Sequence, residues 1–203
     1  KFYFFKQQIV WAVIGIVALL ITSKIHYSFW KKLAVPLFFI SIFLLLIVLI
    51  PGLSIKALGA RRWISIGPIN FQPSEIVKLT LALYLAKVSE TSKKTIAYFL
   101  PLALVCGLIM LQPDLGTTLV IGIIGVVQIF VAGVPFLYFI GSIFLGIASV
   151  VILIISSPYR RDRVLTFLKV TSDPLGKDYH IRQVLLALGS GGIFGLGIGQ
   201  SRQ

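Results

Sequence analysis

Long apolar runs separated by short polar stretches constrain this chain more than any other feature. Residues 9–21 read IVWAVIGIVALLI and residues 33–50 read LAVPLFFISIFLLLIVLI, without a charged side chain in either. In lipid, backbone N–H and C=O groups have no water to bond, so such runs are stable only where their hydrogen bonds close internally, as in a helix. A span needs about 20 mostly apolar residues to cross about 30 Å of hydrocarbon. Six spans are expected on this basis: Gln8 to Thr22, Leu33 to Ile50, Glu75 to Val88, Thr95 to Leu111, Leu115 to Val134 and Phe136 to Ile155. The third is short and carries Lys78. No strand is expected. The predicted fold is all-α: a polytopic membrane helix bundle over residues 1–156, then a long polar loop over 157–203 with interfacial or re-entrant helices.

Composition excludes a water-soluble alternative. Of 203 residues 58% are hydrophobic and 12% charged, whereas an ordinary soluble domain carries about 25% charged residues. A single cysteine, Cys106, excludes an intramolecular disulfide and a multi-cysteine metal site. Lying in an apolar run, it reads as a packing residue. Lys and Arg number 19 against 6 Asp and Glu, a net charge of +13. The basic residues are dispersed over several loops, which argues against nucleic acid and for anionic lipid headgroups or a phosphorylated substrate. Residues 1–8, KFYFFKQQ, lead into the first span with no small-residue cleavage pattern, so no cleaved signal peptide is expected. The chain starts without Met and stops at Gln203. It reads as part of a longer protein.

The loops fall on two faces. One holds residues 23–32, 89–94 and the Val134-Pro135 turn; the other holds the N-terminus, residues 51–74, the Gln112-Pro113-Asp114 turn and the tail after Ile155. The second face has more Lys and Arg and all the informative polar chemistry. Taken literally, the positive-inside rule would make it cytoplasmic. Residues 59–75 read GARRWISIGPINFQPSE. Trp63, Ile66, Ile69 and Phe71 suit a segment at the membrane interface, where Arg61 and Arg62 would anchor at headgroup level or fork onto a lipid-linked phosphate. Glu75 and Lys78 are three residues apart and share a helix face; charges within a span usually face a partner or a polar cavity. Asp114, after Gln112-Pro113, reads first as an N-cap. In the tail, SSPYRRDR carries Arg160 and Arg161, and His180 reads as a structural hydrogen-bonder. Six glycines from Gly189 to Gly199 break up an apolar stretch, which predicts a short helix from about Ile181 to Leu188 and then a re-entrant loop. That stretch has no Gly-Lys-Ser/Thr ending, so it is not a Walker phosphate loop. No cofactor is evident.

Five segments in order, GARRWISIGPINFQPSEIVKL, LQPDLGTTLV, PYRRDRVLTFL, DPLGKDYHIRQ and ALGSGGIFGLGIGQSRQ, closely resemble the SEDS family (shape, elongation, division and sporulation proteins). The resemblance covers essentially the whole chain. The ending GIGQSRQ is more similar to the division and sporulation branch than to the elongation branch, where an Asn-Gly-Thr-Gln insertion is usual. The resemblance implies a ten-helix bundle, of which this chain matches helices two to seven and most of the large loop after helix seven. It places that loop outside the cytoplasm, which overrides the charge count. It implies a peptidoglycan glycosyltransferase in the bacterial cytoplasmic membrane, at the division septum. The substrate would be lipid II, an undecaprenyl-pyrophosphate-linked disaccharide pentapeptide. A class B penicillin-binding protein and other division proteins would be its partners, and the resemblance is compatible with a divalent cation. The family's catalytic aspartate would lie beyond Gln203, so no catalytic residue is assigned in this chain. The resemblance carries Arg62, Glu75, Lys78 and Asp114 over to the substrate cavity, with Arg61, Arg160 and Arg161 as pyrophosphate contacts. Two other roles stay open: a transporter that flips the lipid-linked precursor, and a non-catalytic division scaffold.

Overall fold

The computed structural model describes residues 3–51, 54–57, 60–66, 69–91, 94–158, 161, 179–192, 195 and 197. Its elements in chain order are α1 (Tyr3–Lys24), α2 (Tyr27–Leu49), β1 (Ile55–Ala57), β2 (Ala60–Ile66), β3 (Ile69–Phe71), α3 (Pro73–Thr91), α4 (Ile96–Leu111), α5 (Leu115–Val131), α6 (Phe136–Ile155) and α7 (Tyr179–Gly191). A helix stands at each place where a span is expected, and the protein is a multi-pass helical membrane protein. By length and composition, helices over Phe5–Lys24, Tyr27–Leu49 and Phe136–Ile155 can cross a membrane. The others are shorter or more polar. At 16 and 17 residues, α4 and α5 extend only about 24–26 Å, and α3 carries charge at both ends.

The chain divides into two compact units, Ile25–Gly146 and Lys1–Lys24 with Ile147–Gln203. The first holds the core. On α2 the buried residues Ala34, Phe38, Ser41, Leu45 and Val48 recur at alternating steps of four and three, the spacing that keeps one stripe of a helix against a partner. Phe38 and Leu45 share one apolar core with Val77, Leu81, Leu85 and Val88 of α3 and with Val105 and Ile109 of α4. The Phe38 and Tyr84 rings stack with centroids 4.3 Å apart. Between α2 and α3, the Ser41 and Thr80 hydroxyls share a buried 2.7 Å hydrogen bond. Ile121, Gly125 and Ile129, each four residues apart on α5, face α4 and α3. A Cβ on Gly125 would overlap the Leu102 side chain, so the lack of one lets α4 and α5 approach closely. Cys106 packs against this core, as its apolar setting predicts.

Two expectations need correction. Strands do form, in the order β1-β2-β3 with antiparallel pairing throughout. They lie in the polar crossover between α2 and α3, where β-branched and aromatic residues favour an extended chain and open edges can reach water. The hydropathy argument applies only within lipid. The helix expected from Ile181 to Leu188 runs further, from Tyr179 to Gly191. Gly189 and Gly191 remain helical, and Gly192, at a φ of 53° that suits glycine, ends it. The re-entrant loop expected after it lies mostly outside the described residues, as do Arg160 and the Gly67-Pro68 turn.

Candidate functional site

The local sequence of β2 separates its two arginines. Successive strand residues point to opposite faces. Arg62 shares a face with buried Ile64, and Arg61 shares the other with Trp63, which is 39% exposed. Arg61 pairs with Lys56 in the β1–β2 register. Arg62 instead reaches the turn between α4 and α5. Its Nε donates to the Gln112 carbonyl oxygen at 3.1 Å, one Nη donates to the Pro113 carbonyl oxygen, and Nε lies 3.7 Å from Asp114 Oδ2.

Asp114 is the N-cap of α5, as its position predicts. Its Oδ1 accepts from the Thr117 backbone N–H at 3.1 Å, and its carbonyl oxygen accepts from the Thr118 hydroxyl at 2.7 Å. Its other carboxylate oxygen accepts from Gln72 Nε2 at 3.5 Å. Gln72 directly precedes α3, and its carbonyl oxygen accepts from the Glu75 N–H at 3.0 Å. One turn along α3, Lys78 Nζ is 2.7 Å from Glu75 Oε2. Glu75 is well exposed and Lys78 is 28% exposed. The carboxylate is in the first helical turn, where the helix dipole favours it.

The structure therefore gathers the four residues expected at the substrate cavity into two ion pairs, Arg62–Asp114 and Glu75–Lys78, joined through Gln72. Arg161 is exposed, and its N–H bonds the Ser157 carbonyl oxygen. It belongs to the other compact unit.

The sequence reading missed Gln112 and Ser74. Gln112 is 2% exposed and donates from Nε2 to the Leu45 carbonyl oxygen at 3.4 Å. Ser74 is fully buried. Among the described residues, Ser74 Oγ and Gln112 Oε1 have no hydrogen-bond partner. A polar residue closing an otherwise apolar helix was the available signal for Gln112; for Ser74, at the second position of α3, burial was not legible. No group of three His, Cys, Asp or Glu comes together among the described residues to hold a divalent cation. Asp114 and Glu75 are each already engaged by a cation. These residues do not fit a metal.

The cell cycle protein family of FtsW, RodA and SpoVE matches the chain over residues 1–203. The chain is 39% identical to the "Probable peptidoglycan glycosyltransferase FtsW" of Trichlorobacter lovleyi, across 99% of this chain and 55% of that protein. It is 40% identical to the stage V sporulation protein E of Bacillus subtilis, across 100% of this chain and 58% of that protein. Thus it spans little more than half the length of these curated relatives. Among solved structures, it is similar to a chain from work on the structural coordination of polymerization and crosslinking by a peptidoglycan synthase complex, with TM-score 0.71, 36% identity, and coverage of 93% of this chain and 57% of that one. It is also similar to the rod shape determining protein RodA of Thermus thermophilus, with TM-score 0.63, 32% identity, and coverage of 73% and 49%.

Proposed function

Because the chain belongs to the cell cycle protein family of FtsW, RodA and SpoVE, we propose that its parent protein is a peptidoglycan glycosyltransferase of the division or sporulation type. The carrying observation is the match along all 203 residues to relatives bearing those names. In the proposed reaction a sugar 4-hydroxyl attacks the anomeric carbon of lipid II. The glycosidic bond forms as the bond to undecaprenyl pyrophosphate breaks, and the hydroxyl proton passes to a carboxylate. A step of this kind needs a base for that proton and cations for the departing pyrophosphate.

The residues expected from the resemblance, Arg62 apart, are assigned to the substrate. Lys78 contacts the pyrophosphate, and Glu75 holds the ammonium in place; Arg61, Arg160 and Arg161 are further cationic contacts. Asp114 borders the site, and the proton-accepting carboxylate is assigned outside this chain. The solved peptidoglycan synthase complex supports a penicillin-binding protein as partner, and the division relatives support work at the septum.

The test is glycan polymerisation from lipid II in detergent by the full-length parent with its partner transpeptidase. Polymer without a sealed membrane supports the proposal. Movement of lipid II only in sealed vesicles, without polymer, would make the protein a transporter. Division supported in cells with no lipid II chemistry would make it a scaffold. Glu75→Gln is expected to lower turnover more than twofold, since twofold is about 0.4 kcal/mol and a partly exposed ion pair contributes about 0.2–1 kcal/mol. Turnover closer to that of the unaltered protein would remove Glu75 and Lys78 from the site.

A further inference from the structure

We infer that Arg62 is a positioning residue rather than a substrate ligand: it latches the crossover sheet onto the α4–α5 turn. This rests on the glycosyltransferase reading for its functional consequence but not for its geometry.

Two donors of the Arg62 fork are already spent on the Gln112 and Pro113 carbonyl oxygens. Both follow the last residue of α4, at the negative end of that helix, where a cation is favourable. The same turn holds Asp114, the cap at the positive end of α5. Partial and full charges thus alternate in sign along the path: the α4 C-terminus, Arg62, Asp114, the α5 N-terminus. The turn is also tied to α2 through Gln112 Nε2 and the Leu45 carbonyl oxygen, and to the start of α3 through Gln72 and Asp114. Among the described residues, Arg62 is the sheet's charged contact to this junction. Without it, the polar loop carrying Arg61 and Trp63 would lose that tie to the helices that carry Lys78 and Asp114.

A lysine cannot reproduce the latch. Its single ammonium lacks the rigid fork that places donors on two carbonyl oxygens at once. As a point charge it can still hold a phosphate, so Arg62→Lys separates the two roles.

The experiment measures lipid II polymerisation by the full-length parent with its partner transpeptidase, together with amide hydrogen exchange of the same sample. For Arg62→Lys, kcat is expected to fall at least tenfold with KM for lipid II within twofold. The amides of Asp114, Thr117 and Thr118 should exchange at least tenfold faster, while those of Leu81 and Leu85 in the core stay unchanged. A raised KM with kcat kept and exchange unaltered would overturn the latch in favour of a substrate contact. If Arg62→Lys does not fold, Asp114→Asn keeps a side chain able to cap α5 and removes the charge opposite Arg62. There, turn exchange about threefold faster with KM kept supports the latch, and unaltered exchange overturns it. No polymer from the unaltered protein, with exchange responding as described, would overturn the proposed function and support the latch.

Discussion

Asp114 illustrates how one side chain serves several contacts at once. It caps α5, opposes Arg62 and accepts from Gln72. Asp114→Ala removes all three, and loss of the cap alone costs about 0.5–2 kcal/mol. Asparagine caps as well as aspartate, so Asp114→Asn is expected to cost less than half as much, read by thermal denaturation of the purified parent. Equal losses for the two variants would mean that charge rather than capping dominates there. Gln112 presents the opposite case, a neutral group at 2% exposure. An ionised carboxylate in its place is costly because it puts a charge at a buried position and sets an acceptor, in place of the Nε2 donor, against the Leu45 carbonyl oxygen. Gln112→Glu is therefore expected to destabilise strongly at neutral pH, far more than Asp114→Asn. The Asp114 cap was readable from a proline followed by an acid before an apolar run. The partners of Arg62 were not, since they lie 50 and 51 residues away.

At the scale of elements, the helices form where the apolar runs predict because lipid leaves no other way to pair the backbone. The sheet escaped prediction because the segment forming it lies outside that rule, where alternation in Trp63-Ile64-Ser65-Ile66 has its ordinary meaning. In lipid, helices associate through close packing and interhelical hydrogen bonds rather than by expelling water. This gives Gly125 and the Ser41–Thr80 pair their weight. Gly125→Val should push α5 away from Leu102 and cost about 1–3 kcal/mol, seen as a lower denaturation midpoint. A midpoint equal to that of the unaltered protein would mean that Leu102 rotates aside at no cost.

At the scale of the whole molecule, α3 carries a Glu–Lys ion pair near each end. Glu75 and Lys78 pair near its start, and Glu90 pairs with Lys31 of α2 near its finish. A helix of 19 residues is about 28 Å long, close to the thickness of the hydrocarbon layer. The sheet and the Lys31–Glu90 pair are therefore expected on opposite sides of the membrane. In a parent carrying Cys106→Ala, an impermeant thiol reagent should label Trp63→Cys from outside intact cells and Glu90→Cys only after permeabilisation. The reverse pattern would invert the orientation that the family resemblance implies and restore the literal charge count. Labelling of both from one side would exclude α3 as a span.

The sequence by itself determined that this is a multi-pass helical membrane protein, which runs form helices, and the family to which it belongs. These follow from local hydropathy and from ordered motifs, which are properties of contiguous residues. Only the tertiary structure decided that the two arginines of one motif face opposite ways, that Arg62 serves the α4–α5 turn, and that Gln112 is buried against the Leu45 carbonyl oxygen. Those contacts join α2, β2, α4 and α5 across long stretches of chain. Their partners are set by how the helices pack and how the crossover sheet turns, and no local pattern of residues records either.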